Sequence, residues 1–250
     1  MPTPDGAREL LPLPDSGRRF SYTRKVRLGD TTPRGRLRLD AVARYLQDIA
    51  NDDARDAGLT DAMWWILRRT KVVVDAPLSF DEKVELTTWC SGYGGRWAER
   101  RTELVGDKGG HLSAVALWVA VDSQTGAPRR IGDEFVETYD LAARGRKVRA
   151  RLHHEQPPVD AARKSWAVRY VDLDVIGHVN NAVYWAAVEE SMAEARSGGR
   201  VRASVEFASG IEARSSVELS VAPFGGGEAG WFMVDGTVAA SYRWRPTGDA

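Results

Sequence analysis

The second half of this 250-residue chain repeats the first, and no other feature narrows the possible folds as much. Val168-Arg169-Tyr170-Val171-Asp172 echoes Val26-Arg27-Leu28-Gly29-Asp30. Asn181-Ala182-Val183 echoes Asp40-Ala41-Val42, and Val217-Glu218-Leu219 echoes Val84-Glu85-Leu86. The offset stays within about ten residues of 140 over the three segments, the mark of an internal duplication. Each half reads as a strand, a turn, a long helix and then several strands. A long helix flanked by an antiparallel sheet is an α+β layer arrangement, here expected twice in tandem.

In the first half, Phe20 to Leu28 alternates apolar and polar residues, as a half-buried strand does. Leu39, Val42, Leu46, Ile49 and Ala50 then recur at helical spacing, and Gly58 ends that run. Trp64 to Val74, Lys83 to Cys90, Trp97 to Val105 and Leu112 to Asp122 read as strands set apart by turn residues. Arg129 to Tyr139 fits either a short helix or an irregular segment. Arg144 to Arg151 is a basic run and Pro157-Pro158 follows, so a linker belongs here, with His153 and His154 solvated inside it. The expected divisions are a loose arm over 1–19, a first repeat over 20–140, a linker over 141–163 and a second repeat over 164–250.

Apolar residues make up 43% of the chain, enough for a core, and the formal net charge is zero. Nothing in that balance argues for nucleic-acid or membrane binding. A single cysteine, Cys90, makes no internal disulfide, and no Cys/His spacing suggests a metal site; Cys90 reads as a packed thiol. No apolar leader or membrane-spanning run is seen, so a cytoplasmic protein is expected.

The chemistry concentrates in Tyr170 to Ser191, YVDLDVIGHVNNAVYWAAVEES. An extended run from Trp166 to Val171 feeds a polar turn with Asp172, Asp174 and His178. Asn180 is a preferred N-cap residue, Val179 sits where a staple residue would, and a helix is expected over Ala182 to Arg196, closed by Gly198-Gly199. An acid and an imidazole four residues apart are thereby held at a helix N-terminus. There free N–H groups and the positive dipole end polarise a carbonyl or hold an oxyanion.

Asp174, His178, Val179, Asn180, Asn181, Tyr184 and Glu190 resemble the second-domain signature of the acyl-acyl carrier protein thioesterases. The first half resembles that family's first domain, through the helix from Leu39, Trp65-Ile66-Leu67, Leu86-Thr87-Thr88-Trp89 and Trp118-Val119-Ala120-Val121-Asp122. The resemblance implies two tandem hotdog domains sharing one continuous sheet, and hydrolysis of fatty acyl thioesters carried by acyl carrier protein or coenzyme A. It implies no cofactor and no metal. A fused pair already supplies the sheet that a single hotdog seeks, so a monomer is expected. In the plant members an Asn stands where this chain has Ile176. Their catalytic Glu and the neighbouring Cys align with Gly210 and Ile211, while Glu206 and Glu212 lie close by but out of register.

Thioester hydrolysis needs a polarised carbonyl, an activated water and a stabilised oxyanion. The resemblance makes Asp174 the group that orients or deprotonates water. His178 then holds the water or binds the carbonyl, the helix start after Asn180 supplies N–H donors, and Asn180 and Asn181 cap the helix or, secondarily, contact the substrate. Without the resemblance, Asp174 and His178 read as turn and capping residues. Glu190 is either a buried acid near the site or a satisfied structural group. Leu46, Ile49, Trp64 and Trp65 either line a pocket for the acyl chain or are plain core. The basic run is a solvated linker or a docking strip for an acidic carrier protein. Two other functions remain open: an enoyl hydratase or dehydratase, which the Asp-to-His spacing disfavours, and a non-enzymatic acyl-thioester binding protein.

Overall fold

Ten strands form one antiparallel sheet around two long helices, and every strand and long helix has a counterpart in the other half; a third, shorter helix has none. The first half contains β1 (Phe20–Lys25), α1 (Leu39–Asp56), β2 (Trp64–Ala76), β3 (Lys83–Tyr93), β4 (Trp97–Gly106), β5 (His111–Val121) and α2 (Asp133–Ala143). The second contains β6 (Ala162–Trp166), α3 (Asn181–Glu194), β7 (Val201–Phe207), β8 (Val217–Phe224), β9 (Gly227–Val234) and β10 (Thr237–Pro246). The strand order is β1-β3-β4-β5-β2-β7-β10-β9-β8-β6. Read outward from the β2–β7 seam, the two halves have the same order. The computed structural model describes residues 11–59, 64–196 and 199–247, with Trp64 described by its backbone alone.

The seam runs from Arg69 opposite Glu206 to Val74 opposite Val201. Alternate residues of a strand face opposite sides of the sheet. Val72 and Val74 of β2 and Val201, Ala203 and Val205 of β7 therefore enter the core, where α1 and α3 pack against each other. Leu39, Val42, Leu46 and Ile49 of α1 meet Ala182, Trp185, Val188 and Met192 of α3 in that core. Leu46 and Ile49 are 6% and 0% exposed, as core residues are. Among the described residues no helix is long and apolar enough to cross a membrane.

Several expectations are corrected in detail. The run expected to stay extended to Val171 ends at Trp166, and Tyr170–Asp172 is a 3-10 turn, as is its counterpart Leu28–Asp30. The helix expected to reach Arg196 ends at Glu194; Arg196 itself turns left-handed, with φ of 52°. Of the two glycines expected to close it, Gly198 lies outside the described residues. Arg129 to Tyr139 resolves into α2, which starts at Asp133, ends at Ala143 and packs on β3 through Phe135 and Tyr139. Residues 1–10 of the expected arm lie outside the described residues, but Arg18 is tied to Asp53 (2.8 Å) and Asp56 (2.6 Å) on α1.

The linker is solvated as expected at Arg144, Lys147, Arg149, Arg151 and His153, all exposed, but it is pinned at intervals and His154 is not solvated. It crosses the outer face of the sheet, away from the helices. The Trp97 Nε1–H donates to the Val148 carbonyl (2.8 Å), and the Trp231 Nε1–H donates to the Glu155 carbonyl (2.7 Å). The Glu206 carboxylate accepts the backbone N–H groups of His153 and His154. The His154 ring lies between the Ser241 and Ser204 hydroxyls at 2.8 and 2.9 Å. Burial, reinforced by the Arg243 charge, pushes that imidazole down to about 3.

Candidate active site

The turn before α3 is built by its own side chains. Asp172 is 2% exposed and accepts the Arg169 backbone N–H (2.8 Å) and guanidinium (2.7 Å). Burial alone would raise its pKa; these hydrogen bonds overcome that and hold it below the usual carboxylate range. Leu173 and Val179 then pair across an antiparallel bridge. Between them the Asp174 N–H bonds the His178 carbonyl (2.8 Å), and Asp174 Oδ1 accepts the N–H groups of Ile176 (3.0 Å) and His178 (3.2 Å). Gly177 takes φ of 80°, which a glycine adopts without strain. The Asn180 N–H bonds the Asp172 carbonyl (2.8 Å), and its Oδ1 accepts the Ala182 N–H (2.9 Å), the cap expected of it.

Asp174 and His178 thus share one turn, but the acid holds the backbone of the histidine rather than its ring. Among the described residues neither Asp174 Oδ2 nor the His178 ring has a hydrogen-bond partner. One face of the imidazole rests on Gly210, where an added Cβ would lie 2.8 Å from Nδ1. The His178 backbone bridges antiparallel to Glu212. Residues directly opposite on such a pair have Cβ atoms about 4.5–5.5 Å apart on the same face, so Glu212 flanks His178. Glu206, the other acid near that register, is on the outer face in the hands of the linker. Behind the turn, Tyr184 is buried, stacked on Trp166 (5.9 Å) and edge-on to Phe232 (5.0 Å). Burial first, then the Asp174 charge, raise its pKa against the backbone hydrogen bond from Ile211.

The remaining expected site residues are elsewhere. Glu190 is exposed, about 15 Å along the helix from Asn180, and is not the buried acid. That acid is Glu189. Its oxygens take both guanidinium NH groups of Arg36 (2.9 and 2.6 Å), and Oε1 also takes the Leu39 N–H (2.8 Å). Glu189 therefore caps α1 from across the helix interface. Trp65 packs against Phe135 (5.5 Å) in a separate cluster with α2, apart from Leu46 and Ile49. The side chain of Trp64 lies outside the described residues. Trp65 and the Leu46–Ile49 pair therefore pack in different clusters. Cys90 is buried, which pushes its thiol up to about 11, as fits a packed thiol. Among the described residues no group of three or more His, Cys, Asp or Glu side chains is placed to hold a metal ion.

The two repeats treat the same turn differently. The bridge between Thr31 and Leu37 is the counterpart of that between Leu173 and Val179. Thr32 stands at the place of Asp174 and Arg36 at the place of His178. The hydrogen bonds match: Thr32 N–H to the Arg36 carbonyl (2.8 Å), and Arg36 N–H to Thr32 Oγ1 (3.2 Å). In the first repeat the Arg36–Glu189 pair fills the space before the helix. In the second, the counterpart of Glu189 is Gln47 of α1, a neutral amide, and among the described residues the first turn of α3 carries no ion pair. The duplication pointed to this region, but the echo of Asn181 with Asp40 is one residue out of register: the two bridges equate Asn181 with Leu39, and so Glu189 with Gln47 rather than Asp48.

Residues 17–139 match the acyl-ACP thioesterase N-terminal domain and residues 155–220 its C-terminal domain. The chain belongs to the acyl-ACP thioesterase family. It is 30% identical over 188 residues to an uncharacterized protein of Mycobacterium tuberculosis, 74% of each chain. It is 29% identical over 176 residues to the chloroplastic palmitoyl-acyl carrier protein thioesterase of Arabidopsis thaliana, 61% of this chain and 42% of the plant enzyme. The structure of the 12:0-ACP thioesterase from Umbellularia californica superposes with a TM-score of 0.74 at 22% identity, covering 92% of this chain and 98% of that one. The fold of this acyl-ACP thioesterase family member is thus the tandem hotdog, the ten-stranded sheet being two curved sheets joined at β2–β7.

Proposed function

We propose that the protein hydrolyses fatty acyl thioesters, with acyl carrier protein as the handle, to a free fatty acid and a thiol. One observation carries the reading: in the second repeat alone, the turn at the helix start presents a carboxylate oxygen and an imidazole that the fold leaves unengaged. Asp174 Oδ2 takes a proton from water as the water oxygen bonds the thioester carbonyl carbon. The carbonyl oxygen becomes an oxyanion, held by the Asn181 N–H at the positive end of α3, the counterpart of the Leu39 N–H that Glu189 occupies. The C–S bond then breaks, and the thiolate leaves with a proton passed back through Asp174 or His178. His178 holds the water, and Glu212 beside it supplies the second carboxylate that Gly210 lacks. By the correspondence of the two repeats, Gln47 of α1 is the residue assigned to the same space. Asn180 serves as the cap of α3.

The fused seam occupies the edge that a partner sheet would use, which supports a monomer. Thiol release from a panel of acyl carrier protein and acyl coenzyme A thioesters of graded chain length tests the activity and ranks the two handles. Turnover with both, lost in Asp174→Asn, supports hydrolysis. Tight binding of the panel without release above buffer sinks it, and leaves an acyl-thioester binding protein on the same scaffold.

A further inference from the structure

The outer face of the sheet holds a cavity of about 200 Å³ over β2, β7 and β10. Arg69, Lys71, Arg202, Arg243 and Arg245 line it, and the linker closes one side with His153 and His154. Strand alternation puts the cations there. Ala203 and Val205 of β7 and Tyr242 and Trp244 of β10 enter the core, so Arg202, Arg243 and Arg245 point the other way. Arg202 stands directly opposite Arg245, and Ser204 opposite Arg243, across the β7–β10 ladder. Like charges facing each other on an antiparallel pair destabilise it.

The local acids do not relieve this. The Glu206 carboxylate is taken up by the N–H groups of His153 and His154 (2.8 to 2.9 Å). Glu99 accepts from the Ser91 hydroxyl (2.8 Å) and the Arg146 guanidinium (2.6 Å). Arg243 lies over the Phe224 ring (5.0 Å), and the one acid it pairs with among the described residues is the exposed Glu155, at 3.8 Å. Among the described residues the Nε donors of Arg202 and Arg243 are buried without a protein acceptor, so each calls for a partner from outside the chain, water or ligand. His154, kept neutral by burial and by Arg243, lines the cavity without adding charge.

We propose that this cavity is an anion site for a small molecule bearing two adjacent phosphoryl groups, gripped by the Arg202–Arg245 rung and by Arg243 one pleat away. Rungs two residues apart are separated by about 7 Å, which a diphosphate bridges. Guanidinium forks match phosphoryl oxygens in pairs. The cavity is on the opposite face of the sheet from the Asp174 turn, so this ligand does not touch the thioester, and the inference stands whether or not the chain hydrolyses one.

Calorimetric titration of the full chain at fixed ionic strength tests it, with sodium pyrophosphate, inorganic phosphate and ADP in parallel. Saturable one-to-one binding of pyrophosphate is expected, about tenfold or more tighter than phosphate. Arg202→Gln, Arg243→Gln and the exposed Arg245→Gln should each weaken it by about tenfold or more. Because Arg245 is exposed, its variant reports even if one of the others fails to fold. ADP binding as tightly as pyrophosphate identifies a nucleotide diphosphate as the source; ADP binding much weaker identifies the free diphosphate. Absence of saturation with pyrophosphate, or equal binding by wild type and all three variants, overturns the proposal.

Discussion

Replacing Asp174 by Asn separates the structural and chemical duties of one side chain. The amide keeps an oxygen for the Ile176 and His178 N–H groups, so the turn persists, while the base is gone. Turnover should fall on the order of 10²–10⁴-fold, the usual share of a general base, with KM and the urea midpoint nearly unchanged. A variant that keeps its rate would remove Asp174 from the chemistry. Glu212→Gln should cost on the order of 10²-fold in kcat by the same reasoning; normal turnover there would mean that Asp174 and His178 suffice. Gly210→Ala asks whether the imidazole must sit where it does. The new methyl would lie 2.8 Å from Nδ1, so the ring must swing aside. Single-turnover thiol release should slow while near-ultraviolet circular dichroism stays native. Unchanged kinetics would show that His178 works equally well displaced.

At the scale of the element, the helix pair depends on Glu189. Its carboxylate neutralises Arg36 and caps α1, and both side chains are largely buried (14% and 8% exposed). Removing one partner of a buried pair strands the other, so Glu189→Ala should lower unfolding stability by about 3–5 kcal/mol. Glu190→Ala should stay within about 0.5 kcal/mol, as exposed substitutions do. Urea denaturation of the two variants side by side decides the matter, and equal stabilities would overturn the capping role. The contrast shows where sequence reasoning stops. The turn from Asp172 to Asn180 was legible because turn and cap chemistry is local, and so were α1 and the strands β2 to β5. The choice between Glu189 and Glu190 was not. Consecutive residues of an α-helix point about 100° apart, and only the packing of α3 against α1 fixes which of them faces inward. Trp65, left open between pocket lining and plain core, packs against Phe135 of α2, a contact between segments about 70 residues apart that local pattern does not reveal.

For the whole molecule, the duplication made the tandem hotdog readable, yet the same reading missed the linker. A basic, proline-containing run looks like free chain, and what pins it is a set of residues of β4, β7, β9 and β10 whose neighbours are set by long-range strand pairing. His154 is the most consequential of these anchors. Its folded pKa is depressed to about 3, against an unfolded value near 6.5. Between those values the unfolded chain binds the extra proton, so stability is full above pH ~6.5 and declines as the pH falls toward ~3. The limiting slope is about 1.4 kcal/mol per pH unit for a single group. Urea midpoints measured at pH 7.5 and pH 5 should therefore differ in the wild type. His154→Gln keeps polar contact with Ser204 and Ser241 but cannot titrate, and should flatten the difference. If the two proteins lose stability equally on acidification, the imidazole is not buried neutral, and the linker does not lie across the seam in the way that also closes the proposed anion cavity.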